Sequence, residues 1–421
     1  MRILIKNATL IDPTHPSHGQ TLSFLIEEGI LKKINPATVT KADRVLEASN
    51  LHVSRGWFDP LVSFGEPGFE ERETLANGLH AAAHSGFTHI GLLPNTAPVI
   101  DSQNGIIHQL ALSKEKLTRV HPLGALTVGS QGKKLTELYT LQQAGAMAFY
   151  DAFLPVSNPQ QLKIALEYCQ SFKGLLLSHP ITEALQQGGM MHEGETSTYL
   201  GLKGIPSISE SIQIHRDLEI LENSGGQLHI PFVSTAAAVA HIRAAKKKGL
   251  SVSCSVGLPH LFFDDTALRS YNTNLKLEPP IRSKTDQRAL REGLLDGTID
   301  CISSMHQPMN PEIKELEFEL AANGTIGLEA CFGILCTLFP VEQVVEFLTR
   351  GKSIFSIPNA SIEEGQTADL TFFDPSSVST LEKTNLLSTS QNCAYLGASL
   401  SGKVLGTYNN KQLLWNADLA T

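Results

Sequence analysis

Long apolar runs are missing from this chain. No stretch of 18 or more apolar residues occurs in its 421 positions, which removes the signal of a membrane-spanning helix. Paired cysteine is missing too. The six cysteines (169, 254, 301, 331, 336 and 393) are scattered and form no C-x-x-C pair. They read as free thiols in a reducing cytoplasm, with Cys254 and Cys301 buried and inert inside strands. Positive charge is scarce. The net charge is −9 and no basic cluster exceeds Lys246-Lys247-Lys248, so a nucleic-acid groove is not expected. The opening Met1-Arg2-Ile3-Leu4-Ile5 is too short and too alternating for a secretory signal. Internal repeats, low-complexity tracts and Pro/Ser-rich linkers are also lacking.

What is present is an ordinary globular composition, 42% hydrophobic and 18% charged, in a chain long enough to bury a large core. Residues 1–50 read as short strands punctuated by Asn7, Asp12-Pro13, Gly29 and Asn35-Pro36. From residue 51 the rhythm changes to strand–loop–helix units. Helical spacing is expected over 73–85, 135–144, from Asn158-Pro159 to about 172, 215–224, from Ser234-Thr235 to 248, and 286–296. Gly86, Gly145, Gly249 and Gly297 stand at helix ends. The intervening strands are expected at 87–93, 146–149, 175–177, 227–230, 251–256 and 299–304. Such alternation implies a parallel sheet, and the number of units points to a (β/α)8 barrel. An open doubly wound sheet would need support from a G-x-G-x-x-G after its first strand, which the chain does not have. Strand character returns at 368–373, 402–408 and 412–415. The expected organisation is a barrel over 51–345 and a composite β-sandwich module built from 1–50 and 346–421.

One stretch, G-W-F-D-P-L-V-S-F-G-E-P-G-F-E over 56–70, has the frame of a metal-binding strand end. Further landmarks are P-N-T (94–96), G-A-M-A-F-Y-D (145–151), H-E-G-E-T-S (192–197), V-S-T (233–235), P-P-I-R (279–282), H-Q-P (306–308) and A-D-L-T-F-F-D-P (368–375). In this order and spacing the chain resembles the long, class I type of dihydroorotase, a family of the amidohydrolase superfamily. The resemblance implies a zinc-dependent cyclic amidase in which metal-bound hydroxide attacks the amide and an aspartate moves the proton.

Carried over position by position, the resemblance also implies a loss. The strand-one histidine pair falls on Leu61 and Ser63, and the substrate-gripping arginine on Gly65. The bridging carboxylate is retained as Asp151 and the strand-five histidine as His179. The strand-six ligand falls on Phe232, although His229 stands three residues earlier, and the catalytic aspartate falls on Met305. Among substrate positions Asn95 and His306 keep their identity and an asparagine becomes Glu278. Leucine, phenylalanine and methionine at these positions would fill the space of a metal and its water, and catalytic zinc normally takes three protein ligands. The expectation is therefore no zinc, no catalytic residue at Met305, and Asp151 and His179 persisting as relics hydrogen-bonded to each other. Asp59 is expected to be structural and His260 a satisfied polar residue.

Three functions remain open at this point. The first is an inactive homologue acting as a structural or regulatory partner of aspartate transcarbamoylase, dimeric as class I relatives often are. The second is an active dihydroorotase or related cyclic amidohydrolase with an atypical site remade from Asp59, Asp151, His179, His229 and His306. The third is a metal-free binding protein for a small molecule in the barrel mouth.

Overall fold

The computed structural model describes residues 1–37 and 41–416. Eight segments form the barrel. Three parallel strands, Trp57–Val62, Phe87–Leu92 and Arg119–Pro122, make one arc. Four more, Leu175–Leu177, Gln227–Ile230, Val252–Gly257 and Cys301–Ser303, make the other. The strand expected at 146–149 is reduced to bridges: Phe149 pairs in parallel with Gly124 on one side and Leu176 on the other. The ring closes between the last and first strands, where Ser63 N–H donates to the His306 carbonyl (2.9 Å) and the Ser303 hydroxyl to the Leu61 carbonyl (3.0 Å). Every residue of Trp57–Val62 is buried, as a parallel strand covered on both faces requires.

The helices start where side chains can satisfy their free N–H groups. Thr74, Asn158, Thr235 and Ser283 each accept a backbone N–H of the first turn. Helices Gln103–Ser113 and Leu328–Leu338 lie outside the expected helical spans. The expected helix at 215–224 runs Ile208–Ser224 and so starts well ahead of residue 215. Its inner face carries Ser209, Glu210, Gln213 and Asp217, all buried, and buried polar residues interrupt the apolar periodicity that would have marked it. Glu210 is anchored there by Ser234 and Thr235 N–H groups (2.9 and 3.0 Å), so this helix is tied to the sixth strand's end.

Both chain ends meet in one eight-stranded sheet. Its order is Gln412–Trp415, Ser399–Asn409, Leu370–Thr380, His52–Arg55, Arg2–Leu10, Thr21–Glu27, Ile30–Ile34, with Arg44–Leu46 also on Arg2–Leu10. His52–Arg55, placed with the barrel by the expected boundary at residue 50, pairs instead in this sheet. Helices Val341–Thr349 and Gly351–Ile354 follow the last strand, and Gly351 lies against Cys301 and Phe58 beneath the barrel. Among the described residues no helix is long and apolar enough to cross a membrane.

Candidate functional site at the barrel mouth

In a parallel barrel the strand C-termini converge on one face, so any site built from several strands collects there. The first strand delivers Leu61, Ser63 and Gly65. Leu61 is buried and packs in an apolar cluster with Phe58, Leu93, Tyr150, Phe232 and Met305. The Ser63 hydroxyl meets Asn95 Oδ1 at 3.0 Å. Gly65 donates to the Glu73 carbonyl and accepts from Phe69 N–H (2.8 Å). A Cβ at Gly65 would stand 1.8 Å from the Phe69 carbonyl oxygen, so this loop has no room for a side chain there. Asp59, two residues before Leu61, accepts from Leu61 N–H (3.2 Å) and Ser304 N–H (2.8 Å). It ties the first strand to the eighth, and burial pushes its carboxyl pKa up against those bonds.

Asp151 and His179 do not bond to each other as expected. The Asp151 carboxylate accepts from Thr127 N–H (2.9 Å) and the Thr127 hydroxyl (2.5 Å), which tie it to the loop after the third strand. His179 pairs through Nδ1 with the Tyr150 hydroxyl (3.0 Å). Its Nε2 has no hydrogen-bond partner and stands 4.0 Å from Glu278 Oε1. Full burial holds the imidazole down to about 3, so it is neutral at pH 7. Glu278 accepts from Gln186 (2.9 Å) and Asn323 (3.0 Å), and burial raises its carboxyl pKa.

Aromatic and thioether groups occupy the rest. Phe232 stacks on Phe153 with centroids 5.7 Å apart and planes at 8°, and Phe153 meets His179 edge-on at 5.9 Å. The Met305 side chain lies over Gly257, with Sδ 2.1 Å from where a Cβ would be, so any larger residue at 257 would displace it. Ala152, Phe232 and Met305 all have left-handed backbone, with φ of 54°, 54° and 53°. For residues other than glycine this conformation costs about 1 kcal/mol or more, and it clusters at functional sites.

The other histidines stand apart. His229 lies deeper in its strand, between the hydroxyls of Ser253 (2.8 Å) and Ser255 (3.1 Å) and against Phe355. Its burial holds it at about 3. His306 takes Gly327 N–H on Nδ1 (3.4 Å) and meets Phe64 edge-on. His260 Nε2 bonds the Pro279 carbonyl (3.0 Å). Among the described residues no three His, Cys, Asp or Glu side chains are grouped so as to hold a metal. The remade cluster of Asp59, Asp151, His179, His229 and His306 is therefore not brought together.

The sequence reading missed Tyr150, Phe153, Gln186 and Asn323. Tyr150 could have been suspected from its place beside Asp151 at a strand end; Phe153 and Asn323 lie on loops without a pattern, and Gln186 ends a four-residue helix.

The barrel and its terminal sheet are the fold of known hydantoinases. The L-hydantoinase of Arthrobacter aurescens superposes with a TM-score of 0.86 at 20% identity, over 98% of this chain and 96% of that one. A Thermus D-hydantoinase superposes at 0.81 and 20% identity, over 98% and 94%. Sequence narrows the class. The family model described as Dihydro-orotase-like matches residues 54–238. The dihydroorotase of Pelotomaculum thermopropionicum is 37% identical over 96% of both chains. That of Syntrophus aciditrophicus is 38% identical over 99% of this chain and 100% of its own. The chain belongs to the dihydroorotase family.

Proposed function

We propose that this member of the dihydroorotase family does not hydrolyse a cyclic amide through metal-bound hydroxide, and serves as a structural or regulatory subunit. Aspartate transcarbamoylase is the partner that the family resemblance suggests, and a homodimer the expected state. The observation that carries the reading is the packing of Leu61, Phe232 and Met305 into one buried cluster, at positions the resemblance assigns to metal ligands. Zinc wants three nitrogen, oxygen or sulfur donors on one point. Of the retained ligand positions only two donors remain, the Asp151 carboxylate, already hydrogen-bonded by Thr127, and His179 Nε2, which stands beside Glu278. This donor set does not fit the ion. The left-handed backbone at Ala152, Phe232 and Met305 supports descent from a barrel whose strand ends once presented other side chains. Gly65 supports the same reading, because its loop has no room for an arginine.

Identity of 37–38% over nearly the full length with proteins named dihydroorotase favours the competing reading, a working cyclic amidohydrolase with an atypical site. Metal analysis of the purified chain together with a dihydroorotate hydrolysis assay separates the two. Substoichiometric zinc and no turnover are expected. One tightly bound zinc per chain with turnover would overturn the proposal. Co-sedimentation with aspartate transcarbamoylase tests the partner, and sedimentation of the chain alone tests the dimer.

A further inference from the structure

Three loops on the mouth face, following the fifth, seventh and eighth barrel strands, are stitched together at one edge. The Tyr271 hydroxyl donates to the Leu200 carbonyl (2.8 Å) and the Tyr271 ring meets Phe318 edge-on at 6.5 Å. Lys276 Nζ donates to the Glu319 carbonyl (2.8 Å), and Lys314 Nζ to the Ala322 carbonyl (2.8 Å). The segment Glu312–Leu320 thus turns Lys314 and Phe318 inward and leaves Leu316 and Leu320 outside. This inverts what a merely solvated loop would show. Together with Leu200 and Tyr271, Leu316 and Leu320 border a groove of about 780 Å3. Leu320 is 68% exposed and Tyr199, on the neighbouring turn, 78%.

The groove's rim is anionic. Glu317 and Glu319 line it and are exposed, with Glu312 and Glu315 exposed on the same segment. None of them makes an ion pair with the described residues, and Glu319 stands near Lys276. Across the groove, Arg269 is held over the Tyr199 ring at 6.0 Å.

We infer that this shelf of Leu316, Leu320, Tyr199 and Tyr271 is the docking surface for a cationic, amphipathic segment of a partner protein. An apolar groove beside unmatched carboxylates selects a ligand with leucine-like anchors on one side and lysine or arginine beside them. A second copy of this chain is a poor source of that segment. In its richest basic run, Lys246 is already paired with Asp300 (2.6 Å) and Lys248 with Glu222 (2.9 Å). The inference takes from the proposed function only that the chain assembles with another protein, and it stands whether or not the barrel turns over a substrate.

The test uses the full chain and fluorescence anisotropy of a labelled helical lysine/leucine peptide of about 18 residues, amphipathic at the helical period. A scrambled peptide of the same composition is the control. The amphipathic peptide should bind at least about tenfold more tightly than the scrambled one. Leu320→Ser should weaken it about tenfold, as loss of an anchor does. The double variant Glu317→Lys with Glu319→Lys should weaken it by a similar factor at low salt, with the difference shrinking as salt screens the charges. All three positions are exposed, so both variants should keep the wild-type melting curve. Equal binding of the scrambled peptide, or unchanged binding by both variants, would overturn the inference. So would self-association of the chain that Leu320→Ser abolishes, since the occupant would then be a second copy. Failure here leaves the co-sedimentation test with transcarbamoylase untouched, so the two proposals fail separately.

Discussion

The two ends of the barrel treat buried polar groups in opposite ways. At the mouth, Asp151, His179, Glu278 and His306 each find separate local partners, and apolar side chains fill the space between them. At the base, polar groups converge. Asp369, from the terminal sheet, accepts from Lys352 Nζ (2.7 Å) and from His89 Nε2 (3.1 Å), and His89 Nδ1 meets His121 Nε2 at 2.9 Å. Although burial works the other way, Lys352 and His89 hold the Asp369 carboxyl well below the usual carboxylate range. Gly56 makes room for this knot, because a Cβ there would stand 2.0 Å from Asp369 Oδ1 and from Thr88 Oγ1. A linked charge network joins the sheet of the chain ends to the barrel. The dispersed polar residues at the mouth hold local segments instead, as Asp151 holds the loop after the third strand.

The sharpest way to break this comparison is Lys352→Met. It leaves the Asp369 charge buried without its cation and should cost about 3–5 kcal/mol in urea unfolding. A loss below about 1 kcal/mol would remove the base network from the argument. Phe232→Ala at the mouth should cost about 3 kcal/mol, because it opens a cavity beside Phe153 in a filled interior. If the variant unfolds like wild type, the mouth is an open pocket and the contrast between the ends fails.

His179→Gln sharpens the comparison through pH. In the native state the imidazole is held at about 3 by burial, whereas unfolded it titrates near 6.5. Below pH 6.5 the unfolded chain therefore takes up a proton that the native chain refuses, and stability falls as pH falls. The sign is that of a depressed pKa: the contribution is complete above 6.5 and lost towards 3. Wild type should lose about 1.2 kcal/mol more than His179→Gln between pH 6 and 5. Parallel stability curves would show that His179 is not buried neutral.

The smallest effect is spectroscopic. With Asp369 ionised, His89 must donate from Nε2, so its Nδ1 accepts and His121 must donate from Nε2. His121, held near 3 by burial and then by His89, should show the Nε2–H tautomer in nitrogen NMR at pH 7, and Asp369→Asn should disturb it. The Nδ1–H form in wild type would break the proposed chain of bonds.

Much of the barrel was legible before the structure, because strand and helix periods are local properties. The helix caps at Thr235 and Asn158 and the strand at 227–230 stand where pattern placed them. The helix at 208–224 did not declare its start, since Glu210 and Asp217 are buried on its inner face. The fourth strand survives only as bridges at Phe149. Of the site, the identities Leu61, Phe232 and Met305 were plain in the sequence, while Tyr150, Phe153 and Asn323 were not. Contacts made across loops carry no period.

By itself the sequence determined the alternating barrel, the family and the chemical character of each strand end, because a leucine or phenylalanine cannot ligate whatever surrounds it. Tertiary structure alone decided how the survivors are used. Asp151 has two oxygens and several possible donors, and its position beside the loop after the third strand, with Thr127 in reach, assigned them. His179 could have faced Asp151, but its Nδ1 meets the Tyr150 hydroxyl in the packed mouth. Hydrogen-bond choice belongs to the neighbours that folding supplies, and these come from strands far apart in the chain.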